Sequence, residues 1–263
     1  MADTATAIGW SGLAASLVLI GFVIVLSVVQ QLGLERTIAW SSVRALAQLL
    51  AVGYALTFII DPARPVAFAW GWVALMIIVA SLTVSQRAPE VPGIFPLAVI
   101  ATGSSAVVSL GVIFAFGIFP VQGKTIVPLA GMMIGNSMSA TVVVARRIVT
   151  ELTEKRAEVE ARLALGQPWQ QAARPYVRES LRTAMLPTIE STKVVGLISL
   201  PGAMTGLILG GVNPADAVKI QAAVMYLILG SVTTTASVIA LGLTRRLFTS
   251  DHRLVPLRRT VSR

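Results

Sequence analysis

Three sets of residues in this chain are of types and spacings that can do chemistry. Arg44, Glu190 and Lys193 are ionisable groups inside otherwise apolar stretches. That placement is costly and argues for function. Glu190 and Lys193 lie three apart and can pair on one helix face, and Arg44 and Gln48 lie four apart on another. Such groups can form a gate or line a substrate path, or they can snorkel to the nearer surface as a structural pair. The second set lies in PLAGMMIGNSMSAT (128–141) and SLPGAMTGLILGG (199–211). Asn136 and Ser137 offer oxygen and amide groups. Pro201 cannot donate to the carbonyl of Leu197, and Gly202 weakens the helix further, so free carbonyls are expected beside them. Met132, Met133, Met138 and Met204 add soft thioethers, which can ligate a metal or simply pack. Gly131, Gly135, Gly202, Gly206 and Gly210 have the spacing of a close helix-packing seam. The third set runs from Glu160 to Gln170 and belongs to a charged loop described below.

Those residues must be positioned by elements that suit an apolar medium. Of 263 residues, 55% are apolar and 13% are charged, with no cysteine and a net charge of +9. The mean hydropathy is +0.80. A soluble domain carries about 25% charged residues. The composition excludes a water-soluble globular enzyme, a disordered chain and a disulfide-stapled secreted domain. It specifies an all-α integral membrane protein. A helix needs about 20 mostly apolar residues to cross ~30 Å of hydrocarbon. Seven segments qualify, roughly 8–32, 38–60, 66–84, 94–119, 125–149, 187–211 and 216–243. The third is short and the sixth is interrupted, so six spans are the alternative. The first lacks a basic flank and a cleavage site, and reads as an anchor rather than a signal peptide.

Most charges fall in two stretches, 146–182 and 245–263. Each follows a long apolar block. They read as cytoplasmic flanks attracted to anionic lipid, not as a nucleic-acid site. With Arg245, Arg246, Arg253, Arg258, Arg259 and Arg263 held inside, seven spans place the N-terminus out and the C-terminus in. The expected organisation is one transmembrane domain over 1–263. It contains a cytoplasmic loop at 150–186 and a basic tail at 245–263. The run Gly123-Lys124-Thr125 resembles the end of a phosphate loop, but the preceding glycine, Gly117, is one position too far. No nucleotide-hydrolysing site is expected, and the chain reads as no enzyme.

Within the long loop, Glu151/Lys155 and Glu158/Arg162 support a helix over 151–165, ended by Gly166. Pro168 suits the start of a short helix, Trp169–Arg174, and Pro175 is expected to break the chain before a helix over Tyr176–Leu186. One reading lays these helices on the bilayer, with Trp169 and Tyr176 at headgroup level. The other makes them a docking element. Glu160-Ala161-Arg162, three residues, then Gly166 resembles the EAA-xxx-G pattern of ABC permeases, with arginine in place of the second alanine. On that resemblance Glu160, Ala161, Gly166, Pro168, Trp169 and Gln170 would contact an ATPase.

Three longer stretches carry a wider resemblance: VRALAQLLAVGYAL (43–56), the PLAGMMIGNSMSA block, and residues 163–221, including MLPTIESTKVVGL followed by LPGAMTG. They resemble the FetB family of ABC transporter permeases from about residue 34 to 254. Plant relatives in that family are linked to aluminium tolerance. The resemblance implies an inner-membrane permease subunit that exports iron, a related metal or a metal chelate. ATP and magnesium would be bound by a separate cytosolic ATPase, with no cofactor on this chain. A homodimer in the bilayer is expected, because seven spans are few for a complete path. No metal site is assigned. The chain has no cysteine and its single histidine, His252, lies in the tail. Any metal in the membrane would therefore meet oxygen ligands or methionine. Two other classes fit parts of the sequence: an ion-coupled carrier acting without an ATPase, and a non-transporting membrane scaffold.

Overall fold

A computed structural model describes residues 9–61, 63–249, 251 and 253–255. His252, Arg258, Arg259 and Arg263 of the expected tail lie outside the described residues. In chain order the helices are α1 (Trp10–Val29), α2 (Glu35–Ile59), α3 (Ala67–Arg87), α4 (Ile94–Ala115), α5 (Gly123–Glu154), α6 (Arg156–Ala164), α7 (Trp169–Val194), α8 (Gly202–Leu209) and α9 (Pro214–Leu247). Outside them, the only bridge pairings among the described residues are Val195–Ser199 and Phe248–Leu254.

The body is α3, α4, α5 and α9, packed side by side, with α7 against α5 and α9. Two buried clusters run through it. One, at the end bearing α6, joins Val84, Ala88 and Val91 to Leu152, Val159, Tyr176, Leu243 and Leu247. This end carries Arg146, Arg147, Arg156, Arg162, Arg174, Arg245 and Arg246, and is called the basic end. The other cluster, toward the far end, joins Val73, Leu110, Ile113, Ile126, Ala130, Met133 and Leu227. The α1–α2 hairpin stands apart. No residue of α2 is buried, and only its far end reaches the body, through Leu56 and Ile59.

Among the described residues, six helices are long and apolar enough to cross a membrane: α1, α2, α3, α4, α5 and α9. The chain is a multi-pass membrane protein. The expected span at 187–211 is not one of the six, because its helix is interrupted. The break also differs from the one expected at Pro201. It opens after Val194, where Gly196 adopts φ +89°, a conformation that costs other residues a Cβ clash. Gly196 N–H donates to the Ser199 carbonyl at 2.9 Å, closing a tight turn. Pro201 then caps α8 with extended geometry.

The loop helices also differ from expectation. The segment expected as one helix over 151–165 is divided at Lys155, between α5 and α6. Pro175 does not break the chain; α7 runs through both Pro175 and Pro187. Pro175 lacks only the hydrogen bond to the carbonyl of Gln171, which lies on the exposed side. Burial of Ala172, Ala173, Tyr176 and Ser180 against the basic-end cluster outweighs that loss. Apolar packing decides the helix here, and local proline propensity does not.

Candidate functional site

The groove between α5 and α7 is the feature that gathers polar groups beside the apolar body. Gly135, Asn136, Ser139, Ala140 and Val143 of α5 face Ala184, Pro187, Thr188 and Ser191 of α7 across a cavity of about 280 Å³. Its oxygen-bearing and amide groups are Asn136, Ser139, Thr188 and Ser191. Pro187 cannot donate to the carbonyl of Thr183, so that acceptor is left open in the wall helix. Asn136 donates from Nδ2 to the Met132 carbonyl at 2.7 Å, which leaves its amide oxygen free to face the groove.

Depth follows from helix rise. Asn136 is 13 residues from the start of α5 at Gly123, or about 20 Å along the axis. The first arginine of α5, Arg146, lies about 35 Å from Gly123 by the same rise. Asn136 therefore stands near mid-depth. The amino end of α7 packs in the basic-end cluster, so α7 runs antiparallel to α5 and Ser191 stands beside Gly135 and Asn136. Glu190 is at the same level. It accepts from Lys193 Nζ at 2.7 Å, and the two side chains are 57% and 62% exposed. The continuous α7 carries this pair about halfway across. Arg44 is 15 residues from Ile59, or about 22 Å along α2. The backbone of Ile59 approaches Gly123 at the far end, so Arg44 is also near mid-depth. Arg44 and Gln48 are exposed, and among the described residues neither bonds to Glu190, whose partner is Lys193.

Several expected wall residues lie elsewhere. Ser137 is 1% exposed and points away from the groove; its hydroxyl meets that of Ser231 at 3.2 Å. Pro201, Gly202 and Met204 do not line the groove. Met204 is buried on α8, while Met132 and Met138 pack on the far-end cluster. The methionines act as core. Of the expected glycine seam, only Gly131 meets a neighbouring helix, at Met76 of α3. A Cβ at Gly135, Gly202 or Gly206 would meet open space, and at Gly210 only its own helix backbone. No group of three His, Cys, Asp or Glu that could hold a metal occurs among the described residues.

Sequence reasoning missed a buried hydroxyl seam. Ser105 donates to the Ser231 carbonyl at 3.0 Å, joining α4 to α9, and Ser137 joins α5 to the same turn. Thr233 and Thr234 bond back to the carbonyls four residues earlier. Among the described residues the buried Thr235 hydroxyl has no partner. The runs TGSS (102–105) and SVTTTAS (231–237) were the available signal.

At the basic end, α6 and the start of α7 form a compact knob. The Tyr176 hydroxyl donates to Glu158 Oε2 at 2.9 Å, and Lys155 pairs with Glu158 at 3.2 Å. The Tyr176 hydrogen bond, aided by Lys155, holds the Glu158 carboxyl below its ordinary range. Burial, then the contact with Glu158, pushes the Tyr176 phenol up. Trp169 is half-buried and stacks on Phe248, with ring centroids 5.7 Å apart. Neither Trp169 nor Tyr176 is free to lie at a headgroup surface. The outward residues of the knob are Ala161, Leu165, Gly166 and Gln170, with Pro168 partly covered and Glu160 paired to Arg156 at 2.7 Å. Leu165 is 83% exposed at the tip. Gly166 takes φ +84° to close α6. The knob is fastened to the segment that follows α9. Phe248–Leu254 folds back so that Leu254 joins the cluster with Leu152 and Val159. Within the body at the same end, Arg146 of α5 pairs with Glu90 at 2.5 Å and Arg246 of α9 donates to the Gly93 carbonyl at 2.6 Å.

The profile of the Uncharacterised protein family (UPF0014) matches residues 10–248. The chain is 36% identical to the UPF0014 membrane protein STAR2 of Oryza sativa subsp. japonica, covering 84% of this chain and 78% of that one. It is 34% identical to Protein ALUMINUM SENSITIVE 3 of Arabidopsis thaliana, covering 85% and 81%. It is 33% identical to the Probable iron export permease protein FetB of Escherichia coli (strain K12), covering 92% and 93%. No solved structure matches.

Proposed function

The chain belongs to the UPF0014 family of membrane proteins, and from that premise we propose that it is the permease subunit of an ABC transporter. It exports iron, a related metal or a metal chelate across the inner membrane, driven by a separate cytosolic ATPase that binds ATP and magnesium. Likeness to a protein named as an iron export permease over nearly its whole length supports the cargo class. The chain has no hydrolytic role of its own. The basic end faces the cytoplasm by the excess of Lys and Arg there. With six long helices plus the interrupted α7–α8 path, the N-terminus lies outside. Residues 1–263 form one permease domain, with 150–186 as its coupling loop and the 245–263 tail inside. A homodimer completes the path.

The observation that carries this reading is the α6–α7 knob. It presents Ala161, Leu165, Gly166 and Gln170 outward while Trp169, Tyr176 and Leu254 weld it to the bundle. A surface of that build can take a push from a partner and pass it to the spans. The test is co-purification with an ABC-type ATPase and iron-stimulated ATP hydrolysis in proteoliposomes. Leu165→Glu is expected to abolish ATPase binding while moving stability by less than about 0.5 kcal/mol, the range of a surface change. Intact binding by that variant would overturn the docking assignment.

A second reading is favoured by one observation, the Glu190–Lys193 pair at mid-depth beside a broken helix. Ion-coupled carriers use such features. It predicts ion-gradient-driven transport by the purified chain alone. Transport that requires ATP and the second subunit would exclude it.

A further inference from the structure

Two features of the α7–α8 face are incompatible with lipid. The first is the Glu190–Lys193 pair, more than half exposed at mid-depth. Charged side chains at that depth face protein or water. The second is the interruption at 195–201. There Leu197 is 93% exposed and Ile198 81% exposed, on backbone that is not helical. Irregular backbone within the hydrocarbon is tolerated only where protein covers it or where it lines a water-filled cavity. Among the described residues this face is largely uncovered: α7 packs chiefly on α5, α9 and α6, and α8 chiefly on α9.

The α1–α2 hairpin presents the complementary problem. Its Arg44 stands near the same depth, is exposed, and has no ion pair or hydrogen bond among the described residues. The two uncovered faces thus match in level, and the lone guanidinium matches the carboxylate on charge.

We propose that α2 of a second copy covers the α7–α8 face, with Arg44 of that copy closing on Glu190 beside the α5–α7 groove. The pairing is reciprocal in a two-fold dimer, so each groove is completed by the other copy. Arginine suits the position, because its planar fork can engage a carboxylate that already binds an ammonium. The same contact seals the broken backbone from lipid. This assignment rests on the reading of the chain as half of a transport path and specifies which surfaces the halves share.

The chain has no cysteine, so pairs of introduced cysteines report contacts without background. Two differently tagged copies are co-expressed, one Arg44→Cys and the other Glu190→Cys, and treated in membranes with a short bismaleimide. The expected product is a covalent dimer carrying both tags, absent when either variant is expressed alone. A second pair, Gln48→Cys with Ser191→Cys, leaves every charge in place and is expected to cross-link likewise. Arg44→Glu should weaken the dimer at least tenfold, and Arg44→Glu with Glu190→Arg should restore it. A monomeric product from both cysteines in one chain would place the contact within the chain and overturn the proposal. So would a dimer formed by Arg44→Cys alone, or no product from either pair. None of these readouts needs an ATPase or a cargo. A cross-linked dimer beside an unsubstituted chain that does not transport with its ATPase would sink the permease reading and leave the contact standing; transport by the unsubstituted chain with no cross-link from either pair would do the reverse.

Discussion

Replacing Glu190 by glutamine would leave the Lys193 ammonium without its counter-charge at the middle of the bundle. An unpaired charge there recruits water, which disturbs a gate. The expected outcome is transport reduced about tenfold or more, corresponding to ~1.4 kcal/mol, with membrane expression retained. Unchanged transport would rule the pair out of the path. Tyr176 and Glu158 give a different test at the basic end. The Glu158 carboxyl is held below its ordinary 4.5, so its contribution is present above that value and is lost as pH falls through the depressed one. The Tyr176 phenol is raised above 10.0, so its contribution is full below that value and is lost as pH rises through the elevated one. The α6–α7 contact is therefore tightest between the two limits. Tyr176→Phe should flatten the acid limb of a plot of unfolding midpoint against pH. An unaltered acid limb would show that the hydrogen bond does not matter. The identity of these residues was legible in the sequence, and the Glu190–Lys193 pairing with them. Their depth was not, because it depends on α7 continuing through two prolines.

At the scale of the element, Trp169 shows what a local pattern leaves out. Its position in a charged loop suggested a headgroup or a docking face. The structure turns it inward onto Phe248, a partner 79 residues later that no local pattern reveals. Trp169→Ala should cost about 3 kcal/mol, the lower end for an aromatic truncated to alanine, since the ring is only half-buried. The measurement is thermal unfolding in detergent; no loss would mean the stack carries no load. Helix α8 shows the converse. Pro201 was read as the breaker, yet the chain bends at Gly196, five residues earlier. Proline at a first turn is compatible with a helix, and it starts α8 rather than ending α7. The hydroxyl seam of Ser105, Ser137 and Ser231 was hidden for another reason. Serines inside an apolar run look like tolerated polar residues until three helices bring them to one turn.

For the whole molecule, hydropathy and charge were enough for the class: helical, membrane-spanning, with a basic end. They were not enough for the arrangement of the hairpin α1–α2 relative to α7, because that depends on contacts outside a single chain. One feature ties the scales together. Helix α9 is 34 residues long, so it spans about 51 Å without interruption. It carries α8 at one extremity. At the other, the chain after it folds back under α6 and α7. That makes α9 a connecting rod: a tilt imposed on the knob by a partner would arrive at α8 and the opposite mouth in the same stroke. With its thirteen buried positions running from Ala217 to Leu247, the rod has no soft segment in which the stroke would be lost.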